Sequence, residues 1–427
     1  MGLILNLFIV KILISYNNNN IIDPMGQLTG GVAPNIDRAH TTEISLLEIV
    51  DSGRSLDGMK FETLKRISLL ILAITILFNY QLFISVQNLP LGISLKDGSV
   101  TLTETKLIFL IFIMSISGII IYNLNNYNKN KEKGNKKEKL IILKTNLLGI
   151  YVLIKSNDWI LTIVSWELFN MSLYLFVSLK SENEPGLAAS LKYFVLSALS
   201  TTFLLMGVCI LYFKTGSTNY EIIETSLNEL MRYENDQMII LAMILILSTL
   251  LFKLGAAPFY QWAPDLYENL DTKYTMWMII IPKLTVLSFL FLITDAFSIF
   301  LHLPAVNLFL LISGSLSIII GTIALNNQWY IKRFFAFSGI SHIGLMLLSL
   351  YSFDTQSLFI YAFNYGITTV NIFTIFIILA AFFGRELKNI KDLSGLFKVN
   401  KGLSLLLALN LLSLAGVCLR KILRIIR

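Results

Sequence analysis

Lys253 and Lys283 lie inside runs apolar enough for a lipid bilayer, in the stretch STLLFKLGAAPFYQWAPDLYENLDTKYTMWMIIIPKL from Ser248 to Leu284. An ammonium group at the centre of a bilayer costs about 2.5–3.5 kcal/mol on insertion scales. Three further ionisable groups share this placement: Glu167 in LTIVSWELFNMSLYLF, Lys192 in GLAASLKYFVL and His342 in FSGISHIGLML. Burial disfavours the charged form of lysine and carboxylate alike, drawing both towards the neutrality at which a proton relay works. Each group also has a plainer reading. Lys192 could snorkel to the interface. His342 could be a neutral core histidine bonded to Ser338 or Ser341, and Glu167 with Lys253 could be a structural ion pair. The residues alone point to an ion-translocating helical bundle with a Glu/Lys/Lys/His polar axis, its ion and energy source open.

The elements that must carry these groups follow from composition. The 427 residues are 55% hydrophobic and 14% charged, with a mean hydropathy of +0.70. Soluble domains run near 45–50% apolar and about 25% charged, so this is a polytopic membrane protein. Its apolar runs exceed strand length and do not alternate, which excludes an outer-membrane barrel. Runs of about 20 residues predict an all-α bundle of about 12 transmembrane segments, at 1–16, 64–83, 107–122, 140–154, 159–179, 187–213, 238–257, 274–296, 303–325, 334–351, 358–383 and 403–417. The seventh is expected to break at Pro258 and Pro264, and the eighth holds Pro282 beside Lys283. Broken helices at membrane depth are tolerated only where protein or a water-filled cavity satisfies the backbone, and they mark ion sites in transporters.

Other chemistries find little support. His40, His302 and His342 lack zinc-binding spacing, and Cys209 and Cys418 sit apart in apolar surroundings, so neither a metal centre nor a disulfide framework is expected. The net charge of +7 lies in loops between apolar runs, which is a topology signal and not a nucleic-acid surface. Odd-numbered loops carry Arg38, Arg54, Lys60, the bases from Lys129 to Lys139, Lys180, Lys332, Arg333 and five bases from Arg385 to Lys401. The even loop from Lys214 to Gln237 is acidic. This places the odd loops inside. The link after Pro258 dissents, with Asp265, Glu268 and Asp271 against Lys273.

Several motifs resemble one family. LLFKLGAAPFYQWAPDLYE is similar to the FKxxxxPFHxWxPDxYE segment of the antiporter-like proton-pumping subunits of respiratory complex I. WELFNMSLY resembles their ELxSxxxY segment, the stretch from Gly186 to Ser217 their EAxxKYF segment, and QWYIKRFFAFSGISHIGLMLL their KRxxAYSSIxHxGYxLL. DLSGLFKVNKGLSLLLALNLLSLAG resembles DLxGLxKxxPxxAxxxxxxxxSLAG, so the likeness runs from about Leu140 to Gly416. Subunits of multisubunit sodium/proton antiporters are the runner-up, and a non-pumping truncated product is a third reading.

The resemblance implies an inverted-repeat topology, with a first repeat over 140–296, a second over 297–427, peripheral helices over 61–139 and an N-terminal segment and loop over 1–60. It implies that Glu167 pairs with Lys192 or Lys253, that Lys253 is the broken-helix lysine, that Lys283 passes the proton to the centre, that Lys192 modulates the pair, and that His342 lies on the central axis. It implies no cofactor bound by this chain, with NADH, FMN, iron–sulfur clusters and ubiquinone handled by other subunits. The expected partners are other membrane-arm subunits and the bilayer, in the mitochondrial inner membrane or a bacterial plasma membrane. The sequence departs from the family pattern at Tyr260 (usually histidine), Gly339 (usually serine), Asn269 and Leu270. After SLAG the family continues with IPPxxGFxxK, whereas this sequence reads VCLRKILRIIR. The second repeat is therefore expected to be incomplete, with an intron or frameshift as the expected origin of the basic tail.

Overall fold

The computed structural model describes residues 61–86, 93–95, 98–123, 136–178, 184–233, 237–297, 303–352 and 354–416. The expected first segment, the polar loop to residue 60, His40, His302, Lys180, Cys418 and the basic tail lie outside the described residues. Chain contacts divide the molecule into Met1–Ser68 and Leu69–Arg427. Only the start of one helix is described in the first unit, and the account below concerns the second.

The helices are α1 (Phe61–Val86), α2 (Glu104–Asn123), α3 (Lys136–Lys155), α4 (Trp159–Ser178), α5 (Glu184–Thr215), α6 (Tyr220–Tyr233), α7 (Gln237–Leu254), α8 (Trp262–Asn269), α9 (Thr272–Ala296), α10 (Pro304–Asn326), α11 (Ile331–Tyr351), α12 (Thr355–Phe383), α13 (Leu396–Val399) and α14 (Lys401–Leu414). Between α1 and α2 a short antiparallel hairpin pairs Ile93 with Leu102. Among the described residues nine helices, α1, α2, α4, α5, α7, α9, α10, α11 and α12, are long and apolar enough to cross a membrane. The 20-residue α3 and 14-residue α14 occupy two further stretches where the sequence predicts crossings.

Burial sorts the bundle from axis to rim. In α9, 89% of the most apolar window is buried, against 17% in α1. Leu70, Ile74 and Leu77 of α1 stand exposed, as apolar side chains turned to lipid do. The central position of α9 matters because it carries Lys283.

The ends of the bundle sort by loop number. Asn157 donates to the Ser99 carbonyl, Trp159 to the Thr218 carbonyl and Tyr220 to the Asn157 carbonyl, joining three even-numbered loops at one end. At the other end Asp265, Arg333 and Glu386 bring odd-numbered loops together, and Tyr330 bridges to Asn389. Asp265 and Glu268, whose acidity dissented from the topology signal, are counter-charges for Lys192 and Arg333.

The breaks are more selective than the prolines suggest. Helix α7 stops at Leu254, where Gly255 adopts φ +72°. Its amide donates to the Phe252 carbonyl, and Ala256 donates to the Leu251 carbonyl. That pair of bonds closes the orphaned carbonyls of a helix end around a left-handed glycine. Chain direction then changes through the cis Ala257–Pro258 bond. Pro264, by contrast, does not break the chain. It occupies the first turn of α8, where a missing amide leaves no intrahelical bond unmade. Pro282 does not interrupt α9 either. Its missing amide frees the carbonyl four residues earlier, that of Met278, and the Tyr267 hydroxyl donates to it at 3.4 Å.

Candidate proton-carrier sites

Lys253 sits in the last turn of α7 and is 1% exposed. A helix C-terminus carries partial negative charge, which favours an ammonium there. Lys253 Nζ donates to Tyr193 Oη at 3.2 Å. The same ammonium lies 5.0 Å from the Tyr193 ring centroid and 5.3 Å from that of Tyr174, within the range at which a ring face attracts a cation. Tyr174 is held in turn by donating to Ser197 Oγ at 2.6 Å. The Trp262 ring packs at 4.8 Å on Tyr193, and its Nε1 donates to the Phe252 carbonyl at 3.0 Å. The lysine is therefore surrounded by aromatic groups drawn from α4, α5 and α8.

Glu167 is half-buried on α4. Among the described residues it forms no salt bridge within 4 Å, so the ion pair expected with Lys192 or Lys253 is not made by contact in this structure. Tyr174 is seven residues further on, two turns along the same face of α4.

Lys192 is placed differently. Its side chain is 40% exposed and bonds Asp265 at 2.8 Å. Arg333 meets the same Asp265 at 3.2 Å and Glu268 at 3.2 Å. The network ties α5, α8 and α11 together at the rim. Lys332 adds an ion pair with Glu386 at 3.2 Å and a bond to the Leu270 carbonyl. Lys192 thus meets a carboxylate on α8, and neither Glu167 nor the bundle centre.

Lys283 is 1% exposed on α9. Its Nζ has no hydrogen-bond partner among the described residues and lies 5.9 Å from the Tyr267 ring centroid. Across from it on α11, Gly339 presents only backbone. A Cβ added at residue 339 would fall 2.5 Å from Lys283 Nζ and 3.0 Å from Tyr365 Oη. His342 stands on the same helix with its Nδ1 2.7 Å from Tyr361 Oη. The serine partnership expected for this histidine does not form, since Ser341 Oγ donates to the Ser338 carbonyl instead.

The five ionisable groups therefore fall into three places: a rim network with Lys192, an aromatic site with Lys253 and Glu167 near it, and a central site with Lys283 and His342. Tyr174, Tyr193, Tyr267, Tyr361, Tyr365 and Asp265 complete these places and escape a search for intramembrane charge. The available signals were spacings: Tyr193 adjoins Lys192, and Tyr361 and Tyr365 are one turn apart.

A family model described as NADH:quinone oxidoreductase/Mrp antiporter, transmembrane, matches residues 156–421. The chain is 32% identical over 378 residues to NADH-ubiquinone oxidoreductase chain 2 of Rhizopus oryzae, covering 82% of this chain and 71% of that one. It is 34% identical over 289 residues to NADH-quinone oxidoreductase subunit N of Pelagibacter ubique (strain HTCC1062), covering 65% of this chain and 58% of the relative. The fold is similar to a chain of respiratory complex I from Thermus thermophilus with bound aureothin, with a TM-score of 0.65 at 23% identity over 88% of this chain and 76% of that one.

Proposed function

This chain belongs to the NADH:quinone oxidoreductase/Mrp antiporter family of membrane subunits, and from that premise we propose that it moves protons across the membrane as a membrane-arm subunit of complex I. The observation that carries this reading is the pair of lysines, Lys253 and Lys283, each 1% exposed inside helices of membrane length. Protons reach the bundle at the rim network of Lys192, Asp265 and Arg333. Lys253 is the first carrier, Lys283 the second, and His342 continues the axis.

The two lysine sites supply what a carrier needs. The helix end, the Tyr193 hydroxyl and two ring faces make a buried ammonium tolerable without neutralising it by direct contact. Glu167 adds a charge whose influence depends on small movements. Withdrawing such a counter-charge destabilises the ammonium relative to the amine and drives its proton to the next carrier. On this reading the energy comes from quinone reduction in neighbouring subunits. NADH, FMN, iron–sulfur clusters and ubiquinone belong to those subunits, and this chain contributes the proton path in the mitochondrial inner membrane or its bacterial equivalent.

Lys253→Ala in the assembled complex, reconstituted in sealed vesicles, tests the assignment. The variant is expected to assemble and to lose most of the protons moved per NADH oxidised. Normal pumping by that variant would refute the role given to Lys253. Purification with the NADH-oxidising subunits is the expected association; recovery only with other antiporter subunits would replace complex I by a sodium/proton antiporter.

A further inference from the structure

Lys283 Nζ and Tyr365 Oη are both buried, and neither has a hydrogen-bond partner among the described residues. Buried polar groups are almost always paired, and a tyrosine hydroxyl in a core usually finds a partner. Both atoms also converge on one spot. The position a Cβ would take at Gly339 lies 2.5 Å from the ammonium nitrogen and 3.0 Å from the tyrosine oxygen. The two can therefore be no farther apart than the sum of those distances, a span that one water bridges. With no side chain at residue 339, both groups close in on its backbone, and this side-chain-free spot is the notch.

We infer that Tyr365 is a relay residue of the proton path, joined to Lys283 through a single water that lies between the two groups beside Gly339 and delivering the proton towards His342. The inference rests on the carrier role proposed above for Lys283 and adds the connection that role leaves unmade. Tyr365 and Tyr361 stand one turn apart on α12, on the face turned to His342. The His342 ring centroid is 5.7 Å from that of Tyr365 and 6.0 Å from that of Tyr361.

A hydroxyl both accepts and donates, which fits it to stand between a donor-only ammonium and a histidine ring. Proton bookkeeping is simple. Lys283 as ammonium gives one proton to the bridging water. The water passes one of its own to Tyr365 Oη, whose original proton leaves for the histidine through a second water, since the two side chains make no direct bond. When His342 Nδ1–H donates to Tyr361, its Nε2 is the free acceptor. At the end Lys283 is an amine, His342 an imidazolium, and both water and Tyr365 are as they began.

Four variants in the assembled complex, in sealed vesicles, decide the matter: Tyr365→Phe, Gly339→Ala, Gly339→Ser and Lys283→Ala. The reading is protons moved per NADH oxidised at equal complex content; a purely structural role would change the content and leave that ratio intact. Tyr365→Phe removes only the hydroxyl and is expected to lower the ratio several-fold. Gly339→Ala fills the notch with a methyl group and should do the same. Gly339→Ser fills it with a hydroxyl and should retain more of the ratio than alanine does. A Tyr365→Phe complex pumping like the parent overturns the relay while Lys283→Ala still abolishes pumping. Normal pumping by Lys283→Ala overturns the carrier assignment itself. Should Tyr365→Phe fail to assemble, the two Gly339 variants decide, and equal ratios in them overturn the relay.

Discussion

Tyr267 and Trp262 make two bonds that no inspection of charge would have found: Tyr267 meets the Met278 carbonyl that Pro282 frees, and Trp262 adds a second donor to the Phe252 carbonyl that Gly255 already bonds. Trp262 Nε1 meets the Phe252 carbonyl at 3.0 Å, and Tyr267 Oη meets the Met278 carbonyl at 3.4 Å. Leaving a buried acceptor unpaired costs about 1–3 kcal/mol. Tyr267→Phe leaves the Met278 carbonyl without its donor and should lower the thermal unfolding midpoint of the detergent-solubilised complex, whereas Trp262→Phe leaves the Phe252 carbonyl its bond from Gly255 and should lower it less. Equal midpoints for both variants and the parent would show that these bonds carry no stability. At this scale the sequence exposed the charges and concealed their partners. Lys253, Lys283 and His342 stand out because charge is rare in apolar runs. A tyrosine in such a run is ordinary core or interface material, so Tyr174, Tyr193 and Tyr365 gave no warning. Lys192 follows its plainer reading, since its long stem lets an apolar-looking position place its head at the rim.

Among the elements, α7 shows why the chain breaks before Pro258 and not at Pro264 or Pro282. Its end is set by Gly255 in the left-handed region and the two bonds that close around it. Space is not the constraint there, because a Cβ would lie 3.6 Å from Ala263 Cβ. The cost of Gly255→Ala is therefore backbone strain, about 1–2 kcal/mol. Gly255→Asn should cost less, since asparagine tolerates that region, and the order of unfolding midpoints, glycine above asparagine above alanine, checks it. Pro264 is expected from the sequence to break the chain like Pro258, whereas Pro282 is expected inside one continuous segment over 274–296, as it is found. The first falls where helices have no amide bond to lose, and the second has its freed carbonyl answered by a side chain from α8. Neither the first-turn place of Pro264 nor the donor to the Met278 carbonyl can be read from local sequence, because each depends on where a neighbouring element begins.

For the whole molecule, the alternation of basic and acidic loops predicted two faces, and the structure assembles odd and even loops at opposite ends. The dissenting acids at 265 and 268 belong to a mixed-charge network. Counting charges along a chain cannot show that network, since its members come from α5, α8 and α11. Half-exposed pairs of this kind are each worth about 0–1 kcal/mol, so their value lies in position and not in stability. Cysteines introduced singly at Glu221 and Lys388, in a background lacking Cys209 and Cys418, should react with a membrane-impermeant thiol reagent from opposite sides. Labelling of both from one side would overturn the topology.

The eight residues of α8 deserve a mechanical description. Trp262 grips the helix that bears Lys253, Tyr267 grips the helix that bears Lys283, and Asp265 between them is held from outside by Lys192 and Arg333. One short rod is thus a clasp on both lysine-bearing helices with its handle at the rim. Neither grip can be released by moving α8 without straining the other. The two buried lysines, on separate helices, are thus mechanically linked through one element whose own Asp265 sits at the rim.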